Sequence, residues 1–231
     1  MNRLVSCAAA ALLVALAFAG CSKSQSAQVR KVLSINAIAF NDSVAAGDTL
    51  FLKVQYTFGS SCEQVAHFEF TVVQGAPTPT YQVVPVALYP ASEACTGING
   101  ADVATLRVTD LGAGPRTFQV LGANGTLIAN VIAGADTHFV ADTGIAFRVL
   151  AQDVGTGAAV PGAHVQIRNL IDGSTLSEGD ADGAGLYAYS QPCGADVQYV
   201  VSVSAAGRTA NLVMRTPAAR CRIPEFVVIR V

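Results

Sequence analysis

Six cysteines, three histidines and one Asp-rich turn are the residues of this 231-residue chain whose types could carry chemistry. The cysteines are Cys7, Cys21, Cys62, Cys95, Cys193 and Cys221. A structural zinc site is built from close Cys-x-x-Cys pairs, and no such spacing occurs here. His67, His138 and His164 lie far apart, with no metal-ligand spacing on one element. Asp180-Ala181-Asp182-Gly183, with Asp172 upstream, places carboxylates at i and i+2 before a glycine, as a calcium loop begins. The twelfth position of such a loop needs a bidentate Glu and here holds Gln191, so the run reads as a polar β-turn. Gly-x-Ser-x-Gly, Walker A and His-Glu-x-x-His motifs do not occur. The sequence therefore predicts no catalytic residue, no cofactor and no metal, and a protein that is not an enzyme.

Composition narrows the partners. Charged residues make up 13%, the formal net charge is −2, and hydrophobic residues reach 52%. That balance argues against disorder and, with no basic stripe, against nucleic acid. Trp is absent, which makes a sugar-stacking platform harder to build.

The N-terminus reads as an export signal: one positive charge at Arg3, an apolar run from Cys7 to Ala19, then small residues. The run falls short of the roughly 20 apolar residues that span a bilayer. It ends in Phe18-Ala19-Gly20-Cys21, which resembles the lipobox of bacterial lipoproteins. The resemblance implies cleavage before Cys21, lipid attachment at Cys21, and a chain anchored to a membrane through that lipid. Ala17-Phe18-Ala19 also reads as an ordinary cleavage site, which would leave Cys21 an odd thiol. Ser22, where lipoproteins kept at the inner membrane typically have Asp, implies transport to the outer membrane of the cell envelope. Residues 21–28 then form the lipidated Cys and a polar tether of roughly 15 Å.

The elements that must position everything else are strands. Leu50, Leu52, Val54, Tyr56 and Phe58 alternate against Phe51, Lys53, Gln55 and Thr57. Similar alternation covers Phe68–Val72, Ala104–Val108 and Phe118–Val120, and Asn124-Gly125 marks a tight hairpin. A second set runs from Ile145 through His164–Arg168, Leu186–Tyr189, Val197–Ser204 and Thr209–Arg215 to Glu225–Val231. The pattern predicts an all-β chain of two tandem β-sandwiches, 29–141 and 142–231, after a signal peptide at 1–20. Phe58, Phe68, Phe70 and Phe118 fall on core-facing positions, whereas Phe51, Tyr81 and Tyr89 could join a surface patch. Asn41-Asp42-Ser43 and Asn124-Gly125-Thr126 match the glycosylation sequon formally and read more simply as turns.

Strand direction pairs the cysteines. Leu50–Phe58 runs up to the Cys62 loop, Phe68–Val73 runs down, and Tyr81–Leu88 runs up to the Cys95 loop. Leu186–Tyr189 leads to Cys193, and Arg215, two strands later, leads to Cys221. The expected disulfides are Cys62–Cys95 and Cys193–Cys221, persistent in an oxidising compartment and worth roughly 3–4 kcal/mol each in the chain-entropy account.

The run Val160-Pro161-Gly162-Ala163-His164-Val165, then Gly179-Asp180-Ala181-Asp182-Gly183 and Tyr199-Val200-Val201-Ser202-Val203, resembles the carboxypeptidase regulatory-like domain, a transthyretin-like sandwich. Residues Ile145 to Val231 carry that resemblance, which implies a fold and an accessory role rather than an activity. Lys–Asn isopeptide chemistry, known in related surface modules, is excluded there, because the lysines are Lys23, Lys31 and Lys53. Upstream, Ala45-Ala46-Gly47-Asp48-Thr49 and Gly112-Ala113-Gly114-Pro115-Arg116-Thr117-Phe118 resemble an Ig-like sandwich of exported bacterial proteins. The expected function is a non-catalytic, lipid-anchored envelope protein that presents loops or strand edges to a protein or glycan. The alternatives are a docking subunit of an outer-membrane secretion or uptake complex, and a protease-inhibitor-like module.

Overall fold

The computed structural model describes residues 27–41, 43–45, 47–134, 145–191, 197–216 and 225–231. Within them the chain is strand and turn throughout, with no helix. The all-β sandwich architecture expected from the sequence is what the structure shows.

The strands form three sheets. The front sheet runs β1 (Gln28–Val32), β6 (Thr80–Pro90), β8 (Gly114–Gly122), β9 (Gly125–Ala133) and β3 (Ser43–Val44), with β5 (His67–Val73) also on β6. The central sheet runs β13 (Leu186–Gln191), β10 (Ile145–Gln152), β16 (Glu225–Arg230), β2 (Ser34–Asn41), β4 (Leu50–Ser60) and β7 (Gly97–Val108). The back sheet runs β12 (Thr175–Asp180), β11 (His164–Asn169), β14 (Val197–Ala205) and β15 (Arg208–Thr216).

Two cores hold these layers together, one on each face of the central sheet. On the front, Ile38, Phe40, Leu50, Leu52, Val54 and Val228 pack against Val83, Phe118, Val120 and Leu127. On the back, Ala37, Ala39, Val149, Val227 and Ile229 pack against Val165, Ile167, Tyr199, Val201, Leu212 and Met214. Strands β2 and β16 are therefore buried on both sides. This explains their near-continuous apolar runs, since a strand covered on both faces has no solvent side to keep polar.

The central sheet also crosses the division expected between 29–141 and 142–231. Strand β16 lies antiparallel to β2, with Phe226 opposite Phe40 and Val228 opposite Ile38. The two halves share one middle layer, a feature that the reading as tandem sandwiches does not contain. The segment 135–144 that joins them, which includes His138, lies outside the described residues.

One irregularity in β2 organises the join. Register slips between Ile35 and Ala37 where β2 meets β4, so Asn36 acts as a bulge residue. The slip turns Ile35 into the front core, while Ala37 faces the back core. The ladder from β16 reaches only Ala37. Beyond it the Asn124 side chain takes a strand's place: Ile35 N–H donates to Asn124 Oδ1 and Asn124 Nδ2 donates to the Ile35 carbonyl, both at 2.8 Å. Asn124 sits in the turn between β8 and β9, where Gly122 pairs with Gly125, one residue earlier than the hairpin centre read from sequence. A Cβ at Gly122 would lie 2.7 Å from Ile35 Cγ1, so glycine is what lets this turn press on β2. Arg230, 5% exposed at the end of β16, donates to the carbonyls of Asn124 (3.0 Å) and Thr126. Burial pulls its guanidinium below the usual arginine pKa. The Asn124 sequon thus has its amide committed to the fold.

Candidate functional site

The expected cysteine sites divide. Cys62 follows β4 and Cys95 follows β6, and the two are joined, with Cα atoms 5.6 Å apart. Next to this bond Glu63, nearly buried, accepts from Gly59 N–H at 2.9 Å and from Lys31 Nζ at 2.6 Å. The Gly59 N–H, then the Lys31 ammonium, hold its carboxyl below the ordinary glutamate pKa. Cys21, Cys193 and Cys221 lie outside the described residues.

The Asp-rich run resolves into local turns. Asp182 Oδ1 accepts from Ala184 N–H and Leu186 N–H, at 2.8 and 2.9 Å, and closes the turn that carries the chain from β12 in the back sheet to β13 in the central sheet. Asp180 pairs instead with His164 Nδ1 at 3.0 Å across β11 and β12. Asp172 accepts from Ser174, which lowers its carboxyl pKa. Among the described residues, no three His, Cys, Asp or Glu side chains converge as a metal-binding group. His67 and His164 are exposed on their strands.

Of the core-facing aromatics, Phe118 is fully buried, and Phe58 and Phe68 are half-buried against the cores. Phe70 differs: it is 42% exposed although its neighbour across the ladder, Val83, is in the core. Among the described residues strand β5 pairs only with β6, and Phe70 ends a ring stack with Tyr81 and Phe118 (centroids 5.2 and 5.0 Å apart) at that edge. Tyr81 and Tyr89 pack on the cores rather than forming a surface patch.

The concave feature that the strands do build lies on the back of the central sheet. Strand β15 packs over β16 and β2, and among the described residues the back sheet stops there. Strands β4 and β7 continue past it. Their back face is set by register: Phe51 opposite Arg107, Lys53 opposite Thr105, Gln55 opposite Val103, and Thr57 opposite Ala101. Together with Val213 of β15, residues of this face line a groove of about 450 Å³. It shares Gln55 and Ala101 with a second hollow of about 560 Å³, bordered by Arg208, Thr209 and Asn211 of β15. Gln55 stands where the two meet; it is 7% exposed, and its Oε1 has no hydrogen-bond partner among the described residues.

Lys53 lines the groove, and farther along the same face Arg107 sets its guanidinium 5.6 Å from the Phe51 ring centre. Asp102 borders the groove, yet strand alternation turns its carboxylate to the front, where Tyr56 Oη meets it at 3.4 Å. Burial first, then Asp102, raises the Tyr56 pKa, while the Val65 backbone opposes the shift. At the rim, Arg208 sits close enough to Asp153 to help lower its pKa, after the larger effect of Thr156.

Sequence reasoning placed Phe51, Lys53, Gln55 and Thr57 on the polar side of a strand and went no further. The signal was the alternation itself. That this side is half roofed depends on where the back sheet ends.

No protein-family model matches the sequence, and no curated protein matches it. Among solved structures the chain is similar to the Bacillus anthracis TIE protein, with a TM-score of 0.32 and 12% identity over 88% of this chain and 51% of that one. The chain thus spans about half the length of that protein. A likeness at that TM-score carries no argument about function, and the architecture rests on the strands themselves: an all-β sandwich.

Proposed function

We propose that this chain is a non-catalytic, lipid-anchored envelope protein that binds a partner along the edges of its β-sandwich. The observation that carries the reading is the groove beside β15. Among the described residues, a strand edge with one side unpaired stands over a concave floor, an arrangement by which sheets accept partners. The lipobox-like Phe18-Ala19-Gly20-Cys21 supports the anchor, and the Ser22 position supports outer-membrane delivery. The carboxypeptidase regulatory-like resemblance from Ile145 to Val231 and the Ig-like resemblance upstream support an accessory rather than catalytic role.

Two experiments test the reading. Metabolic labelling with a palmitate analogue is expected to mark the wild-type chain and not Cys21→Ser; normal export without label sinks the anchor. Photo-crosslinkers on all three sheets are expected to trap a partner in intact cells. Absence of any adduct at every surface would remove the binding role.

A further inference from the structure

We infer that the hollow at the start of β15 binds a small hydroxylated carboxylate, a sugar acid, set against the buried Arg230 guanidinium. The inference goes beyond the docking role proposed above, which stands or falls by crosslinks in cells and not by this binding.

The charge comes first. Arg230 is 5% exposed and lines the hollow of about 560 Å³. Its two terminal nitrogens donate to the carbonyls of Asn124 and Thr126, which are neutral. Its Nε has no hydrogen-bond partner among the described residues. Burial lowers its pKa, and no carboxylate among the described residues opposes that shift. A buried charge is ordinarily paired, because losing its water is costly. Here the protein gives the guanidinium two dipoles and no counter-charge. An anion in the hollow supplies one through space and displaces neither carbonyl.

The rim agrees in sign. Arg208, exposed at the first position of β15, borders the same hollow. Asp153, which does not line it, offsets part of the Arg208 charge. Among the described lining residues two are arginines and none is Asp or Glu.

The lining also selects the body of the ligand. Asn36 at the bulge of β2, Gln55 of β4 and Asn211 of β15 are amides, each with an acceptor oxygen and an NH₂ donor. Gln55, 7% exposed with Oε1 unpartnered among the described residues, lacks a donor. A bare carboxylate cannot donate. A hydroxyl both donates and accepts, and it meets Gln55 once the amide turns into the hollow. An ammonium also donates, but two arginines without a carboxylate repel it, which sets amino acids aside. The volume lies in the range of small-molecule sites.

The test titrates the full chain with galacturonate, glucuronate and gluconate. Controls are galactose, which has hydroxyls and no charge, propionate, which has the charge and no hydroxyl, and polygalacturonate. Calorimetry should show saturable binding of at least one sugar acid, about tenfold or more tighter than galactose or propionate. Amide shifts on saturation should cluster at Arg208–Asn211 and Ala101 and spare β9. Gln55→Leu and Arg208→Glu should each weaken binding about fivefold or more, while Arg30→Glu on the front sheet should not. Arg230→Met should abolish binding; because it also releases the Asn124 turn, the Gln55 and Arg208 variants carry the test. No saturable binding of any sugar acid at about 10 mM would overturn the inference. So would equal binding of galactose or propionate, shifts confined to β9, unchanged affinity in both variants, or binding of polygalacturonate with none of the monomers.

Discussion

Strands β2 and β4 are neighbours in one sheet and pair along most of their length, yet they live in different surroundings. Strand β2 is covered front and back, and its side chains alternate between large (Ile38, Phe40) and small (Ala37, Ala39) according to the face. Strand β4 shares the front core through Leu50, Leu52 and Val54, but its other face carries Phe51, Lys53, Gln55 and Thr57 beyond the edge of the back sheet. The back sheet ends between them. The side chains on β4 serve a half-open surface, and the same strand that anchors the fold on one side forms the floor of a groove on the other.

The comparison breaks most readily at the front. Phe118→Ala removes a fully buried ring from the core that β2 and β4 share, and is expected to cost about 3–5 kcal/mol in denaturant unfolding. A smaller loss is expected where β2 outruns β16. Asn124→Ala deprives Ile35 of both side-chain hydrogen bonds, a cost of about 1–3 kcal/mol. Arg230→Met removes the guanidinium that grips the same turn, and the double variant should fall short of the sum, because the two act on one structure. A double-mutant cycle of unfolding free energies checks this.

Next in size is the end of β4. The folded-state pKa of Glu63 is lowered, so its contribution is fully present above the unfolded value of about 4.3 and is lost as pH falls through the folded value. Glu63→Gln should flatten that part of the stability–pH profile and cost about 1–2 kcal/mol at neutral pH, mostly from the Gly59 N–H, since Lys31 is half exposed. The smallest effect belongs to the open face. Gln55→Leu leaves a groove residue apolar without creating a cavity, and the unfolding midpoint should stay within the shift expected for about 0.5 kcal/mol. A large loss there would mean that the back of β4 is core after all.

How far the sequence could be read follows the same divide. Strands with one wet face were legible: β4, β6, β8 and β15 alternate, and the reading located each. The bond between Cys62 and Cys95 followed from strand direction alone. Strand β2 was missed because the bulge at Asn36 breaks its period of two and its back face carries only small residues, Ala37 and Ala39. Strand β12 was missed because Thr175–Asp180 is polar and half-exposed, held by β11 rather than by its own apolar pattern. Asn124 was recognised as a turn residue, but not as the partner of Ile35, 89 residues away.

What the sequence determined by itself is local: a β chain with one exposed and one buried row on most strands, turns at Asn124 and Asp182, and two cysteines at one end. Those features depend on neighbours a few residues apart. Which layers stack, how wide each sheet is, and where one ends over another depend on pairings between distant strands, such as β16 with β2. The groove beside β15 belongs to this second class. Its floor, rim and charge come from β4, β7 and β15, and only the stacking of a four-strand sheet on a six-strand sheet brings them together.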